Sequence, residues 1–147
     1  MAVSAFVFTS CPTRAYSGSI GALGAAAGTT FVCLVADAGS VEKHQEDWTS
    51  YSDITNQVTG TGYTAGGQVL AGRTLVGTNR VTTFDANDST WGTSTITAKY
   101  AVVYNYGPGS SLIMCENFGT NYVSSNGSFT ITWGANGIFT ETVAGTT

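Results

Sequence analysis

The one stretch of this chain with the residue types for acid–base or metal chemistry is Glu42-Lys43-His44-Gln45-Glu46-Asp47. A histidine beside carboxylates can act as a general base or a metal ligand. His44 is the only histidine in 147 residues, so no multi-histidine metal centre can form, even with Glu42, Glu46 or Asp47 assisting. A solvated loop with ordinary charges is the simpler reading, and it makes this segment a contact surface. A Ser–His–Asp triad would also have to use His44, yet no serine is singled out by its setting. No G-x-S-x-G nucleophile elbow occurs either.

Two further patterns fail on context. Gly60-Thr61-Gly62-Tyr63-Thr64-Ala65 formally fits the relaxed dinucleotide motif. That motif holds phosphate only where a helix N-terminus follows it, and here the β-like alternation of Gln68–Val76 follows. Asp85-Ala86-Asn87-Asp88-Ser89 offers oxygen ligands at alternate positions, as a calcium loop does. Thr90 and Ile96 stand where such a loop needs glycine and an acid, so a plain β-turn is expected. Cys11, Cys33 and Cys115 are an odd set without metal-like spacing. Cys33 and Cys115 fall inside apolar runs, where cysteine is a small buried hydrophobe. No catalytic residue, cofactor or metal is therefore expected, and the chain does not read as an enzyme.

The aromatic residues are the more open question. Trp48, Tyr51, Tyr63, Trp91, Tyr106 and Tyr122 lie in or beside predicted loops. They can cap the ends of a core, anchor a protein interface or stack on sugar rings.

Only 10% of the residues are charged, against about 25% in an ordinary soluble domain. Glycine, at 19 residues, and threonine fill the space, which favours strands and a neutral surface with little electrostatic repulsion between copies. Net charge is −4, and Arg14, Lys43, Arg73, Arg80 and Lys99 are scattered without forming a stripe. Nucleic acid is thereby an unsuitable partner. Ile20–Ala27 is too short and glycine-rich to span a bilayer. The first residues carry no basic group before their apolar part, a poor signal peptide, so cytoplasmic synthesis and no membrane partner are expected.

A chain of this length forms one domain able to bury roughly 70% of its unfolded surface. Residues 2–9 read as a first strand, stopped by Pro12, with Phe6 and Phe8 on one face. Tyr16–Gly28 is a small-residue connection, loosely helical at best, and residues 30–36 are a central strand. Asp37–Asp53 is a polar interval that holds most of the acids, with a short helical turn expected around Asp47–Val58. Then follow Gln68–Val76, a turn at Gly77-Thr78-Asn79, Arg80–Phe84 and the longest strand, Thr93–Asn105. That strand puts Ile96, Ala98, Tyr100, Val102 and Tyr104 on one face. Gly107-Pro108-Gly109 turns the chain, and Ser111–Phe118, Gly127–Trp133 and Gly137–Val143 complete the set. About eight antiparallel strands with frequent turns predict an all-β, single-domain β-sandwich, jelly-roll-like in form. Within it, 1–28 is the N-terminal strand and connection, and 29–143 the core.

The segments Val58–Gly67 (VTGTGYTAGG), Ile96–Asn105 (in STITAKYAVVYN) and the later NGSFTITWGANGIFTETVA resemble a family of small virion proteins of tailed bacteriophages. These are head decoration, or cement, proteins, and the resemblance runs over roughly residues 29–143. It implies a structural protein made in the host cytoplasm that ends on the outer surface of the capsid. Its partners would be the major capsid protein and other copies of itself, as a dimer or trimer. The contact residues expected on this reading are Ala5, Phe6 and Val7 of the first strand, Trp48 and Tyr51 of the polar loop, and Tyr63. A rival reading is a tail-fibre or receptor-binding module that grips host-surface carbohydrate through the loop aromatics.

Overall fold

Beyond Asp88 the alternation of threonine with Trp, Ile, Tyr and Val produces the two longest elements. They are β6 (Ser89–Asn105) and β7 (Leu112–Ile131), paired antiparallel along most of their length. A computed structural model describes residues 4–17, 29–107 and 109–144. Most of the connection expected over 16–28, and Pro108 of the expected turn, lie outside the described residues. The other strands are β1 (Ser4–Val7), β2 (Thr30–Val35), β3 (Gln68–Val69), β4 (Thr74–Thr78), β5 (Val81–Asp85) and β8 (Phe139–Thr142). They form a five-stranded sheet, β1-β7-β6-β2-β3, and a three-stranded sheet, β4-β5-β8, both antiparallel. The all-β, sandwich-like class and the strand number are as expected. Its connectivity is dominated by the β6–β7 hairpin.

The five-stranded sheet is covered on both faces. One face packs against the three-stranded sheet through Val32, Leu34, Ala101, Val103, Ile113 and Phe84. The opposite face buries Cys33, Val35, Tyr100, Val102, Leu112 and Cys115 beneath Phe8, Val41 and Trp48. Ile96 and Ala98 belong to the first core, whereas Tyr100, Val102 and Tyr104 belong to the second. The single face expected for this strand is thus divided. A register irregularity between Ala98 and Tyr100 shifts the two-residue repeat by one, as a β-bulge does.

Other expectations need correction. The strands expected at Ser111–Phe118 and Gly127–Trp133 are largely one strand, β7, because Tyr122, Val123 and Ser124 between them still pair with Ala98, Thr97 and Ile96 of β6 while the neighbouring residues are largely exposed. Gln68–Val76 is two strands in different sheets, with Leu70 buried between them and Ala71 to Arg73 turning the chain. The hairpin turn is Asn79-Arg80, one residue later than expected, and both have positive φ (51° and 67°), as a two-residue type I′ turn requires. Pro12 does not merely stop the first strand. It sits in the first turn of helix α1 (Ser10–Tyr16), where a missing N–H costs no intrahelical bond. Among the described residues no helix is long and apolar enough to cross a membrane.

The N-terminal segment is part of the architecture. β1 pairs with β7 from Ser4↔Asn117 to Val7↔Met114, and the next residue, Phe8, is fully buried, its N–H donating to the Ile113 carbonyl at 3.0 Å. Removing the first ten residues would therefore unfold an edge of the sheet as well as remove a surface. F8A is expected to lower stability by about 3–5 kcal/mol in urea titration, the range for truncating a buried phenylalanine.

Glu116 on β7 is only 8% exposed, and one of its carboxylate oxygens has no hydrogen-bond partner among the described residues. Burial raises its pKa above the ordinary glutamate value. Its folded-state value exceeds the unfolded one, so its share of stability is full below the unfolded pKa. That share is lost as pH rises through the folded value. E116Q is expected to be more stable than the native chain at neutral pH, with the difference closing in acid. Urea titrations at several pH values read this directly.

Candidate functional site

Residues 56–67 are fastened to the five-stranded sheet. Beyond the short β3, the outer edge of β2 would leave Leu34 unpaired, and this segment fills the gap. The Val58 N–H donates to the Leu34 carbonyl at 2.9 Å, and the Leu34 N–H donates to the Tyr63 hydroxyl at 2.9 Å. Thr95 N–H donates to the Thr61 carbonyl, also at 2.9 Å. Gln57 accepts from the Gly66 N–H at 2.6 Å and donates to the Tyr51 hydroxyl at 3.0 Å, while the Tyr104 hydroxyl donates to the Gly66 carbonyl at 2.8 Å. Gly67, at φ 77°, lies so close to β2 that a Cβ would fall on the Val32 carbonyl oxygen. Only glycine fits there. Tyr63 is correspondingly turned inward against the first core, and burial raises its pKa. It is a fastener, which turns this expected contact residue toward the interior.

The polar interval is also built, and it carries short 3-10 turns at Asp37–Gly39, Val41–Lys43 and Tyr51–Asp53. Asp53 accepts from the N–H groups of Thr49 (2.8 Å) and Ser50 (2.9 Å), and these bonds hold its pKa down. His44 stands 3.0 Å from an Asp47 oxygen, and its ring stacks on Trp48 at 4.3 Å with the planes 3° apart. Trp48 itself is 7% exposed and belongs to the second core, which corrects its placement on the outside. Tyr51 is half-buried and begins an aromatic stripe. Its ring lies 4.7 Å from Tyr104, Tyr104 lies 5.7 Å from Phe31, and Phe31 lies 5.5 Å from Tyr106. Tyr106 closes the stripe at 63% exposure.

Of the first strand, Ala5 is exposed, while Phe6 and Val7 are half-buried and packed against the second and first core respectively. Among the described residues no strand pairs with its backbone edge away from β7. Trp91 is buried, and Tyr122 stands partly exposed edge-on to Phe118. The six expected contact residues are thus not one patch, and two of them, Trp48 and Tyr63, serve the interior. The turn at 85–89 is likewise occupied: Asp88 accepts from the Trp133 N–H at 3.2 Å, and the Asn87 carbonyl accepts from the Trp133 indole at 3.1 Å.

All three cysteines are buried free thiols, and burial pushes Cys11 up to about 11 and Cys33 up to about 12, far from a reactive thiolate. Among the described residues no group of three or more His, Cys, Asp or Glu could hold a metal ion.

The residues passed over in the sequence are those of β4. All five are exposed, with Leu75 at 46% and Val76 at 55%. Their signal is the lack of any charge from Thr74 to Thr78, since exposed edge strands are ordinarily protected by charge or proline.

Y63F is expected to cost about 1–3 kcal/mol in urea titration, because it leaves the Leu34 N–H buried without an acceptor. G67A is expected to cost at least as much, since both φ and the Val32 carbonyl oppose a side chain. Comparison of the chain with protein-family models, with curated proteins and with solved structures gives no match in any of the three.

Proposed function

We propose that this protein is a decoration protein of a tailed-phage head. It would bind the outer surface of the assembled shell and hold neighbouring major capsid protein subunits together. The observation that carries this reading is the pair of uncharged outer strands. β1 and β4 each end a sheet, neither bears a charge, and β4 exposes Leu75 and Val76. Such edges are templates for strand pairing and favour adhesion to other chains. The resemblance of Val58–Gly67 and Ile96–Asn105 to phage head decoration proteins points the same way. The mechanism is mass action. A protein that binds the assembled shell and not its loose subunits shifts assembly toward the intact state, by about 2.7 kcal/mol per site at a hundred times its Kd. Repetition over the shell adds avidity to a modest single contact.

A second reading has one observation in its favour. The stripe Tyr51–Tyr104–Phe31–Tyr106 ends in an exposed ring, a surface on which a sugar could stack.

The test is the copy number of the protein in purified particles relative to the major capsid protein. One copy per shell subunit, or a simple fraction of that, is expected, and add-back to stripped heads should saturate at the same ratio and raise the temperature of shell disruption. A few copies per particle, with glycan binding lost in Y106A, would move the protein to the tail. Absence from the particle would overturn both readings.

A further inference from the structure

We infer that β4 is the contact between two copies of this chain, paired antiparallel across a two-fold axis at Val76. The proposal rests on that part of the proposed function in which copies touch one another. The two-residue turn at Asn79-Arg80 makes Thr78 and Val81 a hydrogen-bonded pair, so Val76 and Thr74 also bond β5. Leu75 and Gly77 alternate with these and turn their N–H and C=O groups outward. Two copies related by an axis through Val76 then oppose Leu75 with the partner copy's Gly77, and the reverse. Four backbone hydrogen bonds result, with Val76 against Val76 as the close, non-hydrogen-bonded pair on the axis. The sequence Thr74-Leu75-Val76-Gly77-Thr78 is self-complementary in this register: threonine meets threonine, and the largest side chain meets the one residue that has none.

Gly77 is the second, independent observation. Its φ is not in the left-handed region, and a Cβ there would meet only the Thr82 hydroxyl at 3.8 Å. Neither conformation nor packing among the described residues requires glycine, and a glycine weakens a strand. The space it leaves lies on the same face as Leu75, and both Leu75 and Thr82, the residue opposite Gly77, line a groove of about 300 Å³ with Cys11, Tyr16, Phe139 and Glu141. In the pair, the partner copy's Leu75 fills it.

Charge permits the approach. In this register Arg73 faces Asn79, Arg80 faces Gly72, and no two like charges are opposed. The contact is small beside the roughly 1,200 Å² of a stable complex. It is therefore weak in solution and fills when copies are concentrated on a surface.

The experiment uses purified full-length protein without capsid, so its failure would leave head binding standing. V76C places two thiols across the axis, within the Cα separation of about 4.4–6.8 Å that a disulfide accepts. T78C places them about 13 Å apart by four residues of strand rise. The native cysteines are buried and do not compete. Under mild oxidation, V76C is expected to form covalent dimer at least about tenfold faster than T78C, the discrimination disulfide geometry imposes. Equal rates in the two variants, or no dimer in either, would overturn the proposal. In sedimentation up to about 1 mM, the native chain should approach the mass of two copies. G77V should keep the native urea midpoint or raise it, while staying monomeric, because its side chain occupies the space of the partner's Leu75. Native protein that remains monomeric, association that continues past two copies, or G77V that dimerises like the native chain would each overturn it.

Discussion

Where Tyr100–Asn105 of β6 pairs with Leu112–Glu116 of β7 the ladder is buried on both faces, and the rest of the molecule follows from that. A sheet with apolar side chains above and below needs two covers, and the chain makes two of different kinds. One is regular, the small β4-β5-β8 sheet with Phe84 and its neighbours. The other is irregular, a run of 3-10 turns held by Asp53 and closed by Trp48, with Phe8 brought in from the N-terminus. Burial of this kind is non-directional, so either construction serves, provided the backbone groups it sequesters find partners. The Tyr63 and Gln57 bonds supply those partners along the β2 edge.

This division also explains where the molecule can make contact. The centre of the large sheet is sealed, so among the described residues unpaired or exposed apolar surface is left at the margins: the outer side of β1, the exposed strand β4 and the exposed end of the aromatic stripe. A chain with few charges has little to protect such margins with. The adhesion proposed for it uses those margins and leaves the core undisturbed.

How much of this was legible in the sequence differed by element. β2 and β6 were plain, because a buried apolar run and a long alternation each have one reading. The division of the β6 face between two cores was not, since a bulge is a property of two strands and leaves no mark on one. Gln68–Val76 read as continuous because its alternation survives the turn at Ala71–Arg73. Helix α1 was hidden by Pro12, which breaks a helix everywhere except in its first turn. Of the candidate contact residues, Tyr63 was misplaced for a physical reason: glycines around an aromatic suggest display, but the same freedom lets the loop fold the ring inward. Ala5 is exposed on the outer strand β1. The β4 edge was visible only as a missing charge, which composition alone does not locate.

The three sealed cysteines bear on where the molecule can live. Thiols are what most often make a protein's chemistry depend on its compartment, through disulfide exchange and oxidation. Here Cys33 and Cys115 are fully buried in the large sheet, out of reach of oxidant or glutathione while the fold holds, and Cys11 is on the inner side of α1 at 5% exposure. Cys33 and Cys115 thus stay free thiols in reducing cytosol and in aerated medium alike. If the proposed head decoration holds, the coat would cross from cell to medium with these two thiols unchanged.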